Sequence, residues 1–364
     1  MAKRLRSGYT TGACAAAAAK AAVLGLRGGA GGESVIIPFP DGSRVRFVLC
    51  RSQAEADGGF LASVVKDAGD DPDVTNGAEI VATAAWHAGN VSLPRCVELG
   101  GFVLCAGDGV GMVTKPGLPV PVGEPAINPA PRRMIDAAVS EALAGSWATG
   151  RVRITIGVVH GEELAAKTLN ARLGIVGGLS LLGTTGIVRP VSAEAWTATI
   201  SASMGVARAA GLEAVVLSTG RTSERAVQEL LALPEEGLAM MGDYLEFSLK
   251  AAAERGFQRI HLAAMWAKAV KAAMAIPQTH VRHGALEVEE AVGLLARLGV
   301  EGALLSKLAG CNTARELYER LVTLGRHDVV RLVCLEAKAY AERTAGLPVE
   351  LFLVDGHGRV VERV

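Results

Sequence analysis

The sequence predicts an α+β amino-terminal domain, residues 1–150, followed by an α/β, Rossmann-like carboxy-terminal domain, residues 151–364, with a mainly parallel sheet. Three observations carry that expectation. Up to residue 110 the chain reads as one helix and then short strands separated by glycine turns. From about Arg151, apolar strands instead alternate with helical stretches. Between the two lies a stiff segment, Pro116 to Pro131, that holds six of the chain's 14 prolines.

The first helix grows out of Arg6-Ser7-Gly8-Tyr9-Thr10-Thr11-Gly12-Ala13-Cys14 and continues through Ala15 to Lys20. Alanine is the strongest helix former, Thr10 or Thr11 suits the cap, and Gly12 keeps side chains away from the first N–H groups. A helix end of that kind is partially positive and favours an anion, with the ring and hydroxyl of Tyr9 beside it. An ordinary capped helix is the equally weighted alternative. The strands that follow are Ser34 to Pro38, Arg44 to Cys50, Leu61 to Lys66, Glu79 to Ala84 and Cys96 to Leu104. Asp41-Gly42, Gly58-Gly59, Asn76-Gly77 and Gly100-Gly101 are their turn signals. The proline-rich segment reads equally as the rim of a site or as a linker. Val152 to Val159, Glu213 to Leu217, Arg259 to Ala264 and Glu350 to Val354 are apolar runs of buried-strand type. Glu194 to Ala210, Asp243 to Arg255 and Ala314 to Leu324 repeat apolar residues every three or four positions, so they are packing helices.

Lys plus Arg and Asp plus Glu both total 37, so no net field draws the chain to nucleic acid or to an anionic membrane. An anionic ligand then has to be held by locally grouped bases. No stretch reaches the roughly 18 to 20 apolar residues that span a bilayer. The basic start is not an export signal, because Lys20 interrupts the apolar run, and a cytoplasmic protein is expected. Six cysteines without a CxxC pair fit a reduced protein that uses cysteine as a small core residue. His280 and His283 lack a third ligand nearby, and Asp67, Asp70, Asp71 and Asp73 lack the alternation of a calcium loop. No protein-bound metal is therefore predicted, and Asp71 and Asp73 are read as turn caps. A homo-oligomer is compatible with the sequence without being specified by it.

Six glycine-rich segments follow one another over most of the chain: Gly8 to Ala18, Val65 to Gly77, Gly107 to Leu118, Gly123 to Pro129, Asn170 to Ser180 and Gly183 to Pro190. In order and in motif they resemble the cobalt-precorrin-5B C(1)-methyltransferases of the oxygen-independent cobalamin pathway. The resemblance implies methyl transfer from the sulfonium of S-adenosylmethionine to C-1 of a cobalt-containing, ring-contracted tetrapyrrole. The cobalt belongs to the substrate, a small anionic molecule with many acetate and propionate arms. Substitution at carbon needs donor, methyl and acceptor in line, so proximity and orientation supply most of the acceleration.

Under that resemblance the substrate-binding candidates are Tyr9, Thr10, Thr11, Gly12, Lys66, Lys115, Arg132, Arg133, Arg172 and Arg189. Asp67 and Asp108 are the acid/base candidates, since a proton has to leave after the methyl arrives. The methyl donor is expected at the carboxyl ends of parallel strands. Ser218, Thr219, Gly220, Arg221 and Thr222 form such a strand-to-helix turn, and Gly183, Thr184, Thr185 and Gly186 form a second hydroxyl-rich loop. Gly107 to Gly111 runs into Met112-Val113-Thr114 and prolines, so it is not a dinucleotide fingerprint. Two segments depart from the family pattern. Trp266 and Ala267 stand before Lys268 and Lys271 where the pattern is richer in glycine, and Pro277 precedes the Thr279-His280 pair. The alternatives are a dehydrogenase or phosphoryl-transfer enzyme, opposed by the missing GxGxxG and Walker lysine, and a noncatalytic tetrapyrrole carrier.

Overall fold

The computed structural model describes residues 5–28, 32–87, 94–143, 151–279 and 286–364, so His280 and His283 lie outside the described residues. The chain divides into two compact units, Met1–Ser192 and Ala193–Val364.

In the first unit, β1 (Gly8–Tyr9) leads into α1 (Thr11–Leu26), followed by β2 (Ser34–Pro38), β3 (Arg44–Val48), β4 (Arg51–Ala54), β5 (Phe60–Val65) and β6 (Glu79–His87). Next come β7 (Cys96–Leu99), β8 (Phe102–Ala106), β9 (Gly109–Val110), β10 (Met112–Val113) and α2 (Pro129–Leu143). The unit closes with β11 (Arg151–Val158), α3 (Gly161–Ala165), β12 (Ile175–Val176), β13 (Gly178–Leu179) and β14 (Ile187–Val188). Among the described residues, six strands form one sheet in the order β4-β5-β6-β11-β8-β7. Helix α1 lies against β5, β6 and α2 and is buried on every side from Thr11 to Val23. Its alanines meet Ala62, Ala82 and Ala84 on the sheet, all fully buried. Small side chains on both surfaces let the two backbones approach closely, which is what an alanine helix offers a core.

The boundary between the units falls at Ser192/Ala193, later than the expected 150/151. The reason is β11, which pairs antiparallel with β6 and parallel with β8. Val152, Ile154, Ile156 and Val158 point inward while Arg151 stays exposed and Arg153, Thr155 and Gly157 are half-buried. That is the period of two of a half-buried strand, and it belongs to the α+β sheet. The expected strand Cys96 to Leu104 is a hairpin turned at Gly100-Gly101. Its register sets Cys96 opposite Cys105, and the two form a disulfide, which corrects the expectation of wholly reduced cysteines. A spacing of nine residues carries no signal until the hairpin brings the pair together. Cys14 and Cys334 match the core reading: burial pushes both thiols up to about 12.

One charged group holds the layers of this unit. Lys20 of α1, 8% exposed, donates to Ile36 O at 2.8 Å and to Glu141 of α2, and Arg44 of β3 grips both oxygens of Glu141 at 2.7 and 2.9 Å. The Arg44 hydrogen bonds, followed by those of Lys20, outweigh burial and draw the Glu141 carboxyl down to about 2. A depressed carboxylate stabilises the fold above its unfolded pKa and loses that contribution as pH falls toward its folded value. Stability is therefore expected to fall between pH about 4.5 and 2 by about 1–2 kcal/mol from this group, after allowance for solvent screening. Urea titrations across that range check it, and Glu141→Gln is expected to flatten the slope.

The second unit contains α4 (Ala193–Ala209), β15 (Ala214–Ser218), α5 (Arg221–Leu231), β16 (Leu238–Met240), α6 (Leu245–Glu254), β17 (Arg259–Met265) and α7 (Trp266–Ala273). After these come α8 (Val288–Arg297), α9 (Gly302–Leu308), α10 (Ala314–Thr323), α11 (His327–Ala345), β18 (Val349–Val354) and β19 (Val360–Arg363). The sheet order is β16-β15-β17-β18-β19, parallel except for β19. One apolar cluster includes α6, α7 and α11 residues such as Leu249, Val270 and Val333, and a smaller one joins Ala226 and Val227 of α5 to Val216, Ala263 and Phe352. The expected mixed α/β organisation with a mainly parallel sheet is present in this unit.

Candidate functional site

In the first unit the start of α1 is closed rather than open. Thr10 accepts from Ala13 N at 3.2 Å, and Gly12 N donates to Leu182 O at 3.2 Å. Thr11 Oγ1 accepts from Leu182 N at 3.0 Å, Thr10 N donates to Gly186 O at 2.9 Å, and both threonines are buried. Tyr9 packs its ring 4.7 Å from that of Phe47. A Cβ on Gly183 would stand 2.3 Å from Thr10 Cβ. The turn expected to hold substrate and the loop expected to hold donor are thus one knot, with Thr184, Thr185, Ile187 and Arg189 on its exposed surface.

Several of the other candidate residues do structural work. Lys66 is 2% exposed and donates to Asp73 Oδ2 at 2.7 Å, while Asp73 Oδ1 caps Thr75 N at 2.7 Å. Asp73 is the turn cap expected of it, whereas Asp71 accepts from Val191 N at 2.7 Å and so ties its loop to a segment 120 residues away. Arg132 folds the proline-rich rim by donating to Ile127 O at 2.7 Å, Glu124 at 2.7 Å and Pro125 O at 3.2 Å. Asp67 is clasped by Arg6, and that hydrogen bond, with one from Gly69 N, pulls its carboxyl to about 2. A carboxylate so stabilised is a weak base.

Asp108 is exposed at the tip of a loop held by backbone bonds from Gly107 N to Ile156 O and from Val158 N to Asp108 O. Arg95, which no motif pointed to, donates to Gly107 O at 3.3 Å and Val110 O at 3.0 Å and ties the same loop from the other side. Lys115 and Arg172 are both half-buried and adjacent, with Lys115 Nζ 3.5 Å from Arg172 O. Arg133 and Arg189 are exposed.

In the second unit the turn Ser218 to Thr222 leaves the carboxyl end of β15. Ser218, fully buried, donates to Glu224 Oε2 at 3.0 Å, and Ser223 donates to Gly220 O at 2.9 Å. A Cβ on Gly220 would meet nothing within 4 Å. The strands on either side of β15 add a group that sequence reasoning only partly found. Asp243, just past β16, accepts from Lys268 and from Thr279 Oγ1 at 3.1 Å. Thr279 O in turn accepts from Lys268 at 2.8 Å and Lys271 at 3.0 Å. Burial, then the neighbouring charge of Lys268, lowers the pKa of Lys271. Beside this group lies a cleft of about 540 Å³ lined by Tyr244, Glu246, Phe247, Lys250, Ile276, Pro277 and Gln278. Its position after the second strand of a parallel sheet was the available signal. No helix among the described residues is long and apolar enough to cross a membrane, and no three His, Cys, Asp or Glu side chains among them gather as metal ligands.

Residues 1–190 match the family described as CbiD, and residues 278–364 match its C-terminal domain. A protein of Desulfotalea psychrophila named cobalt-precorrin-5B C(1)-methyltransferase is 58% identical over 98% of this chain and 97% of its own. A protein of the same name from Geotalea daltonii is 45% identical over 98% of each chain. A crystal structure of a cobalamin biosynthesis protein (cbiD) from Archaeoglobus fulgidus covers 88% of this chain and 85% of its own, at 25% identity and a TM-score of 0.40.

Proposed function

The chain belongs to the CbiD family, and from that premise we propose that it methylates C-1 of cobalt-precorrin-5B with S-adenosylmethionine, giving cobalt-precorrin-6A in anaerobic cobalamin biosynthesis. The observation that carries the reading is near-full-length identity, across both units, to relatives bearing that name. The work is assigned to the cytoplasm.

The donor is assigned to the second unit, read as Rossmann-like. Its strand order reverses between β15 and β17, and ligands of doubly wound sheets sit at the carboxyl ends of the strands beside such a reversal. Ser218 to Thr222 stands at that point, and the open space above Gly220 fits a ligand passing close to the backbone. When bound, the donor supplies a methyl group on a positively charged sulfur. The task of the chain is to hold it in line with the acceptor carbon and keep water away. For the macrocycle, Thr184, Thr185 and Arg189, with Arg133, Lys115 and Arg172, are the groups of the first unit suited to carboxylate arms. Tyr9, Thr10, Thr11 and Gly12 shape that surface from beneath, as Lys66 and Arg132 brace it. Of the two acids, Asp108 is assigned the proton acceptor, because Arg6 holds Asp67 as a stable carboxylate.

Anaerobic incubation with cobalt-precorrin-5B and methyl-labelled donor is expected to add one label at C-1 and to release S-adenosylhomocysteine, read by mass and carbon NMR. Tight macrocycle binding without label transfer would replace the enzyme by a carrier.

A further inference from the structure

Asp108 stands apart from the other acids in the glycine-rich segments of the first unit. Asp67 is clasped by Arg6, Asp70 accepts from Arg6 N at 2.7 Å, Asp71 holds Val191 N, and Asp73 holds Lys66 and Thr75. The Asp108 carboxylate is exposed, and no described residue hydrogen-bonds or pairs with it. Its backbone, by contrast, is held firmly. Gly107 N donates to Ile156 O at 2.7 Å and Val158 N to Asp108 O at 2.9 Å, which fastens the loop to β11, and a long bond from Val110 N to Gly107 O, 3.3 Å, closes the turn. On the opposite edge the carbonyls of Gly107 and Val110 both accept from Nη2 of Arg95, at 3.3 and 3.0 Å.

Arg95 reaches this place through a costly backbone. It precedes β7, where the hairpin register sets Cys96 opposite Cys105, and its carbonyl accepts from Ala106 N at 2.8 Å. Its φ is +60°, a left-handed conformation that residues other than glycine rarely adopt. Such an outlier persists where surrounding contacts over-determine it, and outliers of this kind cluster at functional sites. Arg95 binds residue 106 with its backbone and residues 107 and 110 with its side chain. It brackets Asp108 without touching the carboxylate.

We propose that Arg95 is a positioning residue for proton removal: by holding the Gly107 and Val110 carbonyls, it fixes the direction in which the free Asp108 carboxylate faces the methylated ring. The inference rests on the reading of Asp108 as proton acceptor. In that reaction the methyl passes from sulfur to C-1, the sulfonium becomes a thioether, and the proton that the ring gives up ends on Asp108. Proton transfer is sensitive to the placement of the base, whereas binding of either substrate does not use it.

Steady-state kinetics of the full chain with cobalt-precorrin-5B and S-adenosylmethionine are the test. Arg95→Met is expected to lower kcat about tenfold while the KM of each substrate stays within about twofold. Arg95→Lys, which can reach one carbonyl at a time, is expected to lose only about threefold. In an Asp108→Asn background, itself slowed about a hundredfold, Arg95→Met is expected to add less than about twofold, since a residue acting through Asp108 has nothing left to position. Arg151→Met breaks the 2.6 Å pair with Glu98 of β7 and so loosens the same hairpin away from the loop. Its kcat is expected to stay within about twofold. Full additivity of the Arg95 and Asp108 losses overturns the positioning role, as does an equal loss in Arg151→Met, which marks hairpin stability. An unchanged kcat in Arg95→Met beside a slow Asp108→Asn overturns it too, and leaves Asp108 as the acceptor. If Asp108→Asn keeps the rate of the unaltered chain, the proton-acceptor reading fails and the positioning role falls with it.

Discussion

Gly220→Val is expected to raise the KM for S-adenosylmethionine about thirtyfold, roughly 2 kcal/mol of binding, while leaving kcat at saturation within about threefold. The substitution is tolerable for the fold: a Cβ there meets nothing within 4 Å, and φ at Gly220 is 171°, extended backbone open to any residue. It does fill the space over the first turn of α5, where the donor is assigned, and a branched side chain keeps a ligand from approaching the backbone. Thermal unfolding should move only by the small cost of valine at a helix N-cap, about 1 kcal/mol or less. Initial-rate kinetics at varied donor concentration is the measurement. An unchanged KM would remove the donor from this turn.

The second large effect is on the fold. Gly109→Ala is expected to destabilise the first unit by about 4 kcal/mol or more, or to abolish soluble expression. Gly109 has φ of +73°, and a Cβ there would stand 2.1 Å from Val158 O and 2.9 Å from Gly161 Cα, backbone atoms with no freedom to turn aside. Gly161 and Gly178 meet Gly109 at the same crossing, so the loop that carries Asp108 owes its place to three glycines from separate segments. Gly123→Ala is the control. It also has a positive φ, +87°, but nothing lies within 4 Å, so only about 1 kcal/mol of backbone strain is expected. Urea unfolding of the two variants separates the close approach from the strain; equal losses would refute the crowding argument.

Much of the secondary structure is legible in the residues. The helix at Thr11, the strand at Ser34–Pro38, the turn at Gly100-Gly101 and the strand-to-helix turn after Ser218 all lie where capping, alternation and glycine chemistry put them. Val152 to Val159 is the exception: read as a fully buried strand of the parallel sheet, it is a half-buried strand of the first unit's sheet, a difference that its alternation with Arg151, Arg153 and Thr155 carried. The candidate site was less legible. Lys66 and Lys115 are the same residue type in similar glycine-rich settings, yet Lys66 lies inside the unit against Asp73 while Lys115 remains half-exposed beside Arg172. A lone base carries no mark of whether an acid from another segment will claim it.

The sequence by itself determined the family, the order of the elements and the positions of the caps and turns, because each depends on residues within a few places of one another. The tertiary structure decided which groups meet. Thr10 with Gly183, Cys96 with Cys105, Arg95 with the Asp108 loop, and Asp243 with Lys268 are contacts set by strand register and layer packing. Charge and hydrogen-bonding capacity are local properties, but whether they remain free for a ligand depends on what the fold brings against them.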